Sequence, residues 1–102
     1  MPFALERGGN VLEGFIDMVI EGPDGLEIID WKTDRISKGE VQDRLKEYEL
    51  QAGLYVHGLR EATGLPVAGV TYVFASAHVE ASPGTPDELA QGALERLDAL
   101  TG

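Results

Sequence analysis

A mixed α/β fold is the class that this 102-residue sequence predicts, and three observations predict it. Two strand-forming runs, Val11 to Glu21 and Leu26 to Lys32, flank the turn-forming Gly22-Pro23-Asp24-Gly25. Apolar residues at helical spacing follow, from Val41 to Ala62. A run rich in Val, Tyr and Phe then extends from Val67 to Ala75. A strand reached through a helix joins its sheet by a right-handed crossover, so an antiparallel hairpin gains a parallel neighbour.

Each element has its own signal. Pro2-Phe3-Ala4-Leu5 runs almost straight into the first strand, and Gly8-Gly9-Asn10 reads as a turn. The first strands are apolar on both faces, with Ile16, Met18 and Ile20 on one and Phe15 and Val19 on the other. Such strands are expected to be covered on both sides. Ser37 and Glu40 form a capping box. Beyond it Val41, Leu45, Tyr48, Ala52, Tyr55, Leu59 and Ala62 make the stripe of one long helix. Gly64-Leu65-Pro66 ends that helix, glycine first and proline after. A short strand is expected around His78 to Glu80, and Thr85-Pro86-Asp87-Glu88 starts a last helix running to about Leu100.

Composition narrows the function. The length suits one domain with a modest core. With no cysteine, disulfides and thiolate metal sites are excluded. No apolar run is long enough to cross a bilayer. The net charge of -10 works against phosphate binding through lysine and arginine, and otherwise describes a solvated acidic surface or one suited to cations.

Against that background the charged residues inside the strands stand out. Asp17 and Asp30 lie in otherwise apolar runs where aspartate is disfavoured, and Lys32 lies two residues beyond Asp30. Pairing Glu21 with Leu26 carries Asp17 opposite Asp30, where paired Cβ atoms are about 4.5–5.5 Å apart on one face. Lys32 shares that face about 6.5 Å further on. Carboxylates so close repel unless one is protonated or a cation lies between them. The pattern therefore reads either as a site for a hard divalent cation such as magnesium, or as an ion-pair network with Lys32. In the first reading the carbonyl of Trp31 is a further candidate ligand. A slip of one residue would destroy the arrangement. Asp24 and Asp34 read as structural. Gln51 and Tyr55, one helical turn apart, share a face and read either as packing with one satisfied amide or as substrate contacts. His57 reads as a surface residue. No serine nucleophile turn or phosphate-cradling glycine loop is present.

Three segments in order, Gly14-Phe15-Ile16-Asp17, Glu27-Ile28-Ile29-Asp30-Trp31-Lys32-Thr33 and Gln51-Ala52-Gly53-Leu54-Tyr55, resemble the RecB-type branch of the PD-(D/E)XK nuclease superfamily. The chain looks like the nuclease domain at the C-terminus of UvrD-type and AddA-type DNA helicases, with the resemblance running from Pro2 to Ala75. It implies a restriction-endonuclease-like mixed sheet with flanking helices, and hydrolysis of DNA phosphodiesters with Mg2+, or Mn2+ in its place. By the same resemblance Asp17, Asp30 and Lys32 are the catalytic residues. Asp17 and Asp30 match its metal ligands, with the Trp31 carbonyl added to them from its place between Asp30 and Lys32, and Gln51 and Tyr55 match its substrate contacts. It further implies DNA and an ATP-dependent helicase motor as partners, no membrane, and a cytoplasmic location.

The resemblance places a helix before the first strand, and this chain is expected to lack it. Residues 1–102 are accordingly expected to be a single domain and a C-terminal fragment of a larger helicase–nuclease. The alternatives are a non-catalytic module of the same fold that binds DNA ends or braces a motor, and an acidic protein-interaction domain.

Overall fold

The computed structural model describes residues 1–7 and 9–101. Strands β1 (Pro2–Arg7) and β2 (Asn10–Phe15) form an antiparallel hairpin of their own. Strands β3 (Met18–Gly22), β4 (Gly25–Lys32), β5 (Val67–Phe74) and β6 (Val79–Ala81) form a second sheet in that order. Helices α1 (Val41–Glu47) and α2 (Glu49–Thr63) link β4 to β5, and α3 (Pro86–Thr101) closes the described chain. The β4–β5 pair is parallel and the other pairs are antiparallel. This is the mixed sheet that the strand–helix–strand order predicts.

The strand expected over Val11 to Glu21 is two strands in two sheets. Ile16 turns inward to full burial, and its N–H donates to the Met1 carbonyl at 2.8 Å. Burying Ile16 redirects the chain at Asp17, between the end of β2 and the start of β3. The segment before it, Pro2–Arg7, is itself a strand, and Phe3 and Leu5 are buried. Gly8, the first residue of the expected Gly8-Gly9-Asn10 turn, lies outside the described residues.

The long helix is also divided. Ser37 and Glu40 cap a short 3-10 turn, Lys38–Glu40, that leads into α1. The break falls at Tyr48, whose φ and ψ of −93° and 0° leave the helical region. Two tertiary contacts hold it there: its hydroxyl donates to Asp34 Oδ2 at 2.9 Å, and its ring stacks on Tyr72 at 5.3 Å between centroids. Arg44 completes the Asp34 cluster at 3.3 Å, in line with a structural aspartate.

Helix α2 is buried more widely than its stripe suggests. A Cβ on Gly53 would lie 2.1 Å from the Leu89 carbonyl oxygen, so α3 packs directly on the backbone of α2 there. On another side Gly58 admits the Phe3 ring. Val56 is also fully buried, whereas Ala62 is exposed. Gly64 caps the helix in the left-handed conformation, φ 68°, which glycine adopts without steric cost.

One face of the second sheet receives this helical layer. Leu26 and Ile28 of β4 and Val70, Tyr72 and Phe74 of β5 meet Val41, Leu45, Ala52, Val56 and Leu59 in a single core. The opposite face does not have the cover expected of it: Met18 is 39 % exposed, Ile20 43 % and Trp31 45 %. No helix of the described residues is long and apolar enough to cross a membrane.

Candidate active site

Strand β4 carries the chemistry into the core. Its alternation sends Leu26, Ile28 and Asp30 inward, and Asp30 is the buried charged residue among the core apolar groups, at 2 % exposure. Burial without a counter-charge would be costly, and Lys32 supplies the counter-charge. Lys32 Nζ lies 2.6 Å from Asp30 Oδ2. At that distance the contact is charge-assisted, and Lys32 is the cationic partner of the buried Oδ2.

The register places Asp17 beside this pair. Glu21 faces Leu26 as expected, and the ladder runs back to Met18 opposite Ile29. Asp17 is one residue beyond the ladder, in the bend made by Ile16, rather than on a strand. Its Oδ2 accepts the Trp31 N–H at 3.1 Å. From there its carboxylate interacts with that of Asp30. Burial first, and then the neighbouring Asp17, push the Asp30 carboxyl above the usual carboxylate range, while Lys32 opposes the shift.

Trp31 contributes its backbone rather than its exposed ring. The Lys32 carbonyl accepts from Ala75 N–H, and so faces the β5 side. Carbonyls of successive strand residues point to opposite edges, so the Trp31 carbonyl points with its own N–H toward the Asp17 side.

The helical layer adds Gln51, whose Oε1 accepts from Lys32 Nζ at 2.9 Å and from the Tyr72 hydroxyl at 3.0 Å. An ammonium can only donate, which fixes the amide orientation and leaves Nε2 as its remaining donor capacity. Tyr55, buried one turn further along, meets the edge of Phe3. Its phenol is pushed up to about 12, by burial and then by the negative charges of Asp30 and Asp17. All six residues singled out in the sequence thus lie at one locus.

Two members of the locus were not among them. Tyr48 places its ring 4.2 Å from Lys32 Nζ and Tyr72 places its ring at 5.2 Å, so the ammonium is caged by aromatic faces. Tyr72 is directly paired with Asp30 across the parallel strands. Tyr48 precedes Gln51 by three residues, which is a helical neighbour spacing, but its apolar-stripe position reads as core. The His57 ring is half-buried beside Glu61 at 3.8 Å, away from this locus.

The carboxylates of Asp17 and Asp30 and the Trp31 carbonyl form an all-oxygen donor set. That chemistry fits a hard divalent cation that keeps several waters of its own. Among the described residues no third Asp, Glu, His or Cys completes a cluster.

A mixed sheet with an inward Asp-x-Lys and a second aspartate at the preceding strand entrance defines a nuclease-type α/β domain. The chain belongs to the PD-(D/E)XK nuclease superfamily, which it matches over residues 1–101. It is similar to part of the ATP-dependent helicase/nuclease subunits of several bacteria. Identity is 42 % over 57 residues to the Carboxydothermus hydrogenoformans protein, which covers 56 % of this chain. It is 39 % over 67 residues, 66 % of this chain, to that of Thermoanaerobacter sp. strain X514. For the Alkaliphilus oremlandii protein it is 38 % over 87 residues, 72 % of this chain. The matched stretches are 5 %, 5 % and 7 % of those relatives' lengths.

Proposed function

We propose that this chain hydrolyses DNA phosphodiesters with Mg2+, or Mn2+ in its place, as the nuclease part of a DNA-repair helicase–nuclease. The observation that carries the reading is Asp30, buried with Lys32 Nζ at 2.6 Å and the Asp17 carboxylate alongside. A site built only for stability gains little from such burial, because apolar residues of the same volume hold a core as well or better. The relatives' name, an ATP-dependent helicase/nuclease subunit, supports a nucleic acid as substrate and an ATP-driven motor as partner.

Asp17, Asp30 and the Trp31 carbonyl would hold the cation. When bound there, it supplies positive charge at the scissile phosphate and acidifies a water molecule. The remaining work falls to the chain's own groups. Asp30 neutralises Lys32, and Gln51 takes one of its three N–H groups, so the ammonium keeps donor capacity for a phosphate oxygen or the attacking water. Gln51, Tyr48 and Tyr72 hold Nζ in place, which reduces the reorganisation needed at the moment of reaction. Tyr55 stays protonated at neutral pH and therefore faces substrate as a donor.

The test is cleavage of end-labelled single-stranded and duplex DNA with and without Mg2+ or Mn2+. Activity should vanish with chelator. Lys32→Ala should lower the rate by about 10²–10³-fold, the usual loss on removing one donor to developing charge, and Asp30→Asn should lower it at least as far. Unchanged rates in both variants would contradict the reading. The acidic surface and the two-carboxylate set favour one alternative, a non-catalytic module that braces a motor or binds DNA ends. It predicts no heat of divalent-cation binding in calorimetry and no difference between wild type and Asp30→Asn.

A further inference from the structure

A groove of about 420 Å³ opens between β2 and the α1–α2 arm. Its walls are Phe15, Leu50 and Leu54, and it runs onto Gln51 and Tyr55 of the site described above. Glu13 and Glu47 also line it, and no lysine or arginine does. Phe15 is 62 % exposed although its neighbours Gly14 and Ile16 face the core. We propose that this groove is the subsite for an unpaired nucleobase next to the phosphodiester held at Asp17, Asp30 and Lys32, with Phe15 as a stacking surface. The inference rests on the nuclease reading and specifies its substrate as a strand whose bases are free to leave the stack.

Three features select this occupant. The groove is continuous with the candidate site through Gln51 and Tyr55, and Phe15 precedes Asp17 by two residues, at most about 7 Å of chain. A base placed there therefore belongs to a nucleotide adjoining the reacting phosphate. The charge distribution excludes a phosphate from the groove itself, since Glu13 and Glu47 are its charged lining groups and both are acidic. Arg44 lies 3.5 Å from Glu47 but does not line the groove. A neutral base carries exocyclic amines that carboxylates accept, and its flat apolar face suits an exposed phenyl ring. A paired base cannot enter without leaving its partner, so the groove discriminates against intact duplex.

The test moves one abasic position through a short single-stranded oligonucleotide. Binding is measured by fluorescence anisotropy in chelator, and cleavage is measured in Mg2+. Wild type should lose about tenfold in affinity at one register only, in keeping with the size of single base–aromatic stacks. Phe15→Ala, at an exposed position that leaves the core intact, should bind the normal strand about as weakly as wild type binds that abasic strand, and should be indifferent to the abasic position. Cleavage without any register dependence would overturn the base subsite and leave the nuclease reading standing. Register-dependent binding without cleavage in any divalent metal would do the reverse. No binding to any oligonucleotide would overturn both. If Phe15→Ala weakened normal and abasic strands equally, or changed the sedimentation of the chain, the groove would belong to a protein segment or a second copy and the proposal would fall.

Discussion

The two faces of the four-stranded sheet are built from the same kinds of residue and have opposite fates. Inward, β4 sends Leu26, Ile28 and Asp30 into a sealed layer beneath α1 and α2, and β5 adds Val70, Tyr72 and Phe74. Outward, Met18, Ile20 and Trp31 stand well exposed beside half-buried Ile29 and Val73. Apolar character alone therefore does not determine which face is the core. The helical layer does, because α2 spends three of its sides on β5, α3 and the β1–β2 hairpin, and α3 packs on α2 rather than on the open face. The same asymmetry explains the site. A carboxylate–ammonium pair gains strength from the low dielectric of the sealed face, whereas on the open face it would be a solvated surface pair.

This contrast can be tested directly. The largest effect is expected for Ile28→Ala on the sealed face, which should cost about 2–5 kcal/mol in urea unfolding because a fully buried branched side chain leaves a cavity. A loss below about 1 kcal/mol would show the inner layer to be loosely packed. Next comes Gly53→Ala in the helical layer. The Leu89 backbone oxygen cannot give way as a side chain would, so α2 and α3 must separate, at about 1–3 kcal/mol. Unchanged unfolding would show that the interface adapts.

A pH experiment sharpens the comparison further, because all three tyrosines of the chain belong to the inner side. Burial first raises each of Tyr48, Tyr55 and Tyr72, with Tyr55 pushed up to about 12. Unfolded tyrosine releases its proton near pH 10. Above that value the unfolded chain binds fewer protons than the folded one, so stability should fall as pH rises from about 10 through Tyr55's folded value. Absorbance titration should show no tyrosine ionising at the ordinary value while the protein stays folded. A normal titration of even one would place that ring in solvent. The smallest effect is expected outside: Ile20→Ser on the open face should change unfolding by only about 0.5 kcal/mol. A loss several times larger would mean that the face is covered in solution.

Much of this was legible from residues alone. The β3–β4 register followed from pairing Glu21 with Leu26 across the Gly22–Gly25 turn, and that pairing is the one observed. The helix cap at Ser37, the stop at Gly64 and the start of α3 at Thr85 follow from local backbone chemistry. The convergence of Asp17, Asp30 and Lys32 came from that same register, and Gln51 and Tyr55 from helical spacing and family resemblance.

What local signals could not decide were the places where distant groups override them. A continuous β-pattern from Val11 to Glu21 gives no hint that Ile16 leaves its strand to fill the core, which moves Asp17 off the ladder and onto the Trp31 amide. Continuous helical periodicity across Tyr48 hides a break held by Asp34 and Tyr72. Tyr72 is a core residue and Tyr48 packs against the core, as their apolar surroundings in the sequence suggest; only the crossover from β4 to β5 brings their rings over Lys32. Short-range sterics and periodicity thus determined the elements, their order and the acidic pair of this nuclease-superfamily chain. The cage around the ammonium and the choice of sheet face required long-range packing, whose energy depends on neighbours that sequence spacing does not encode.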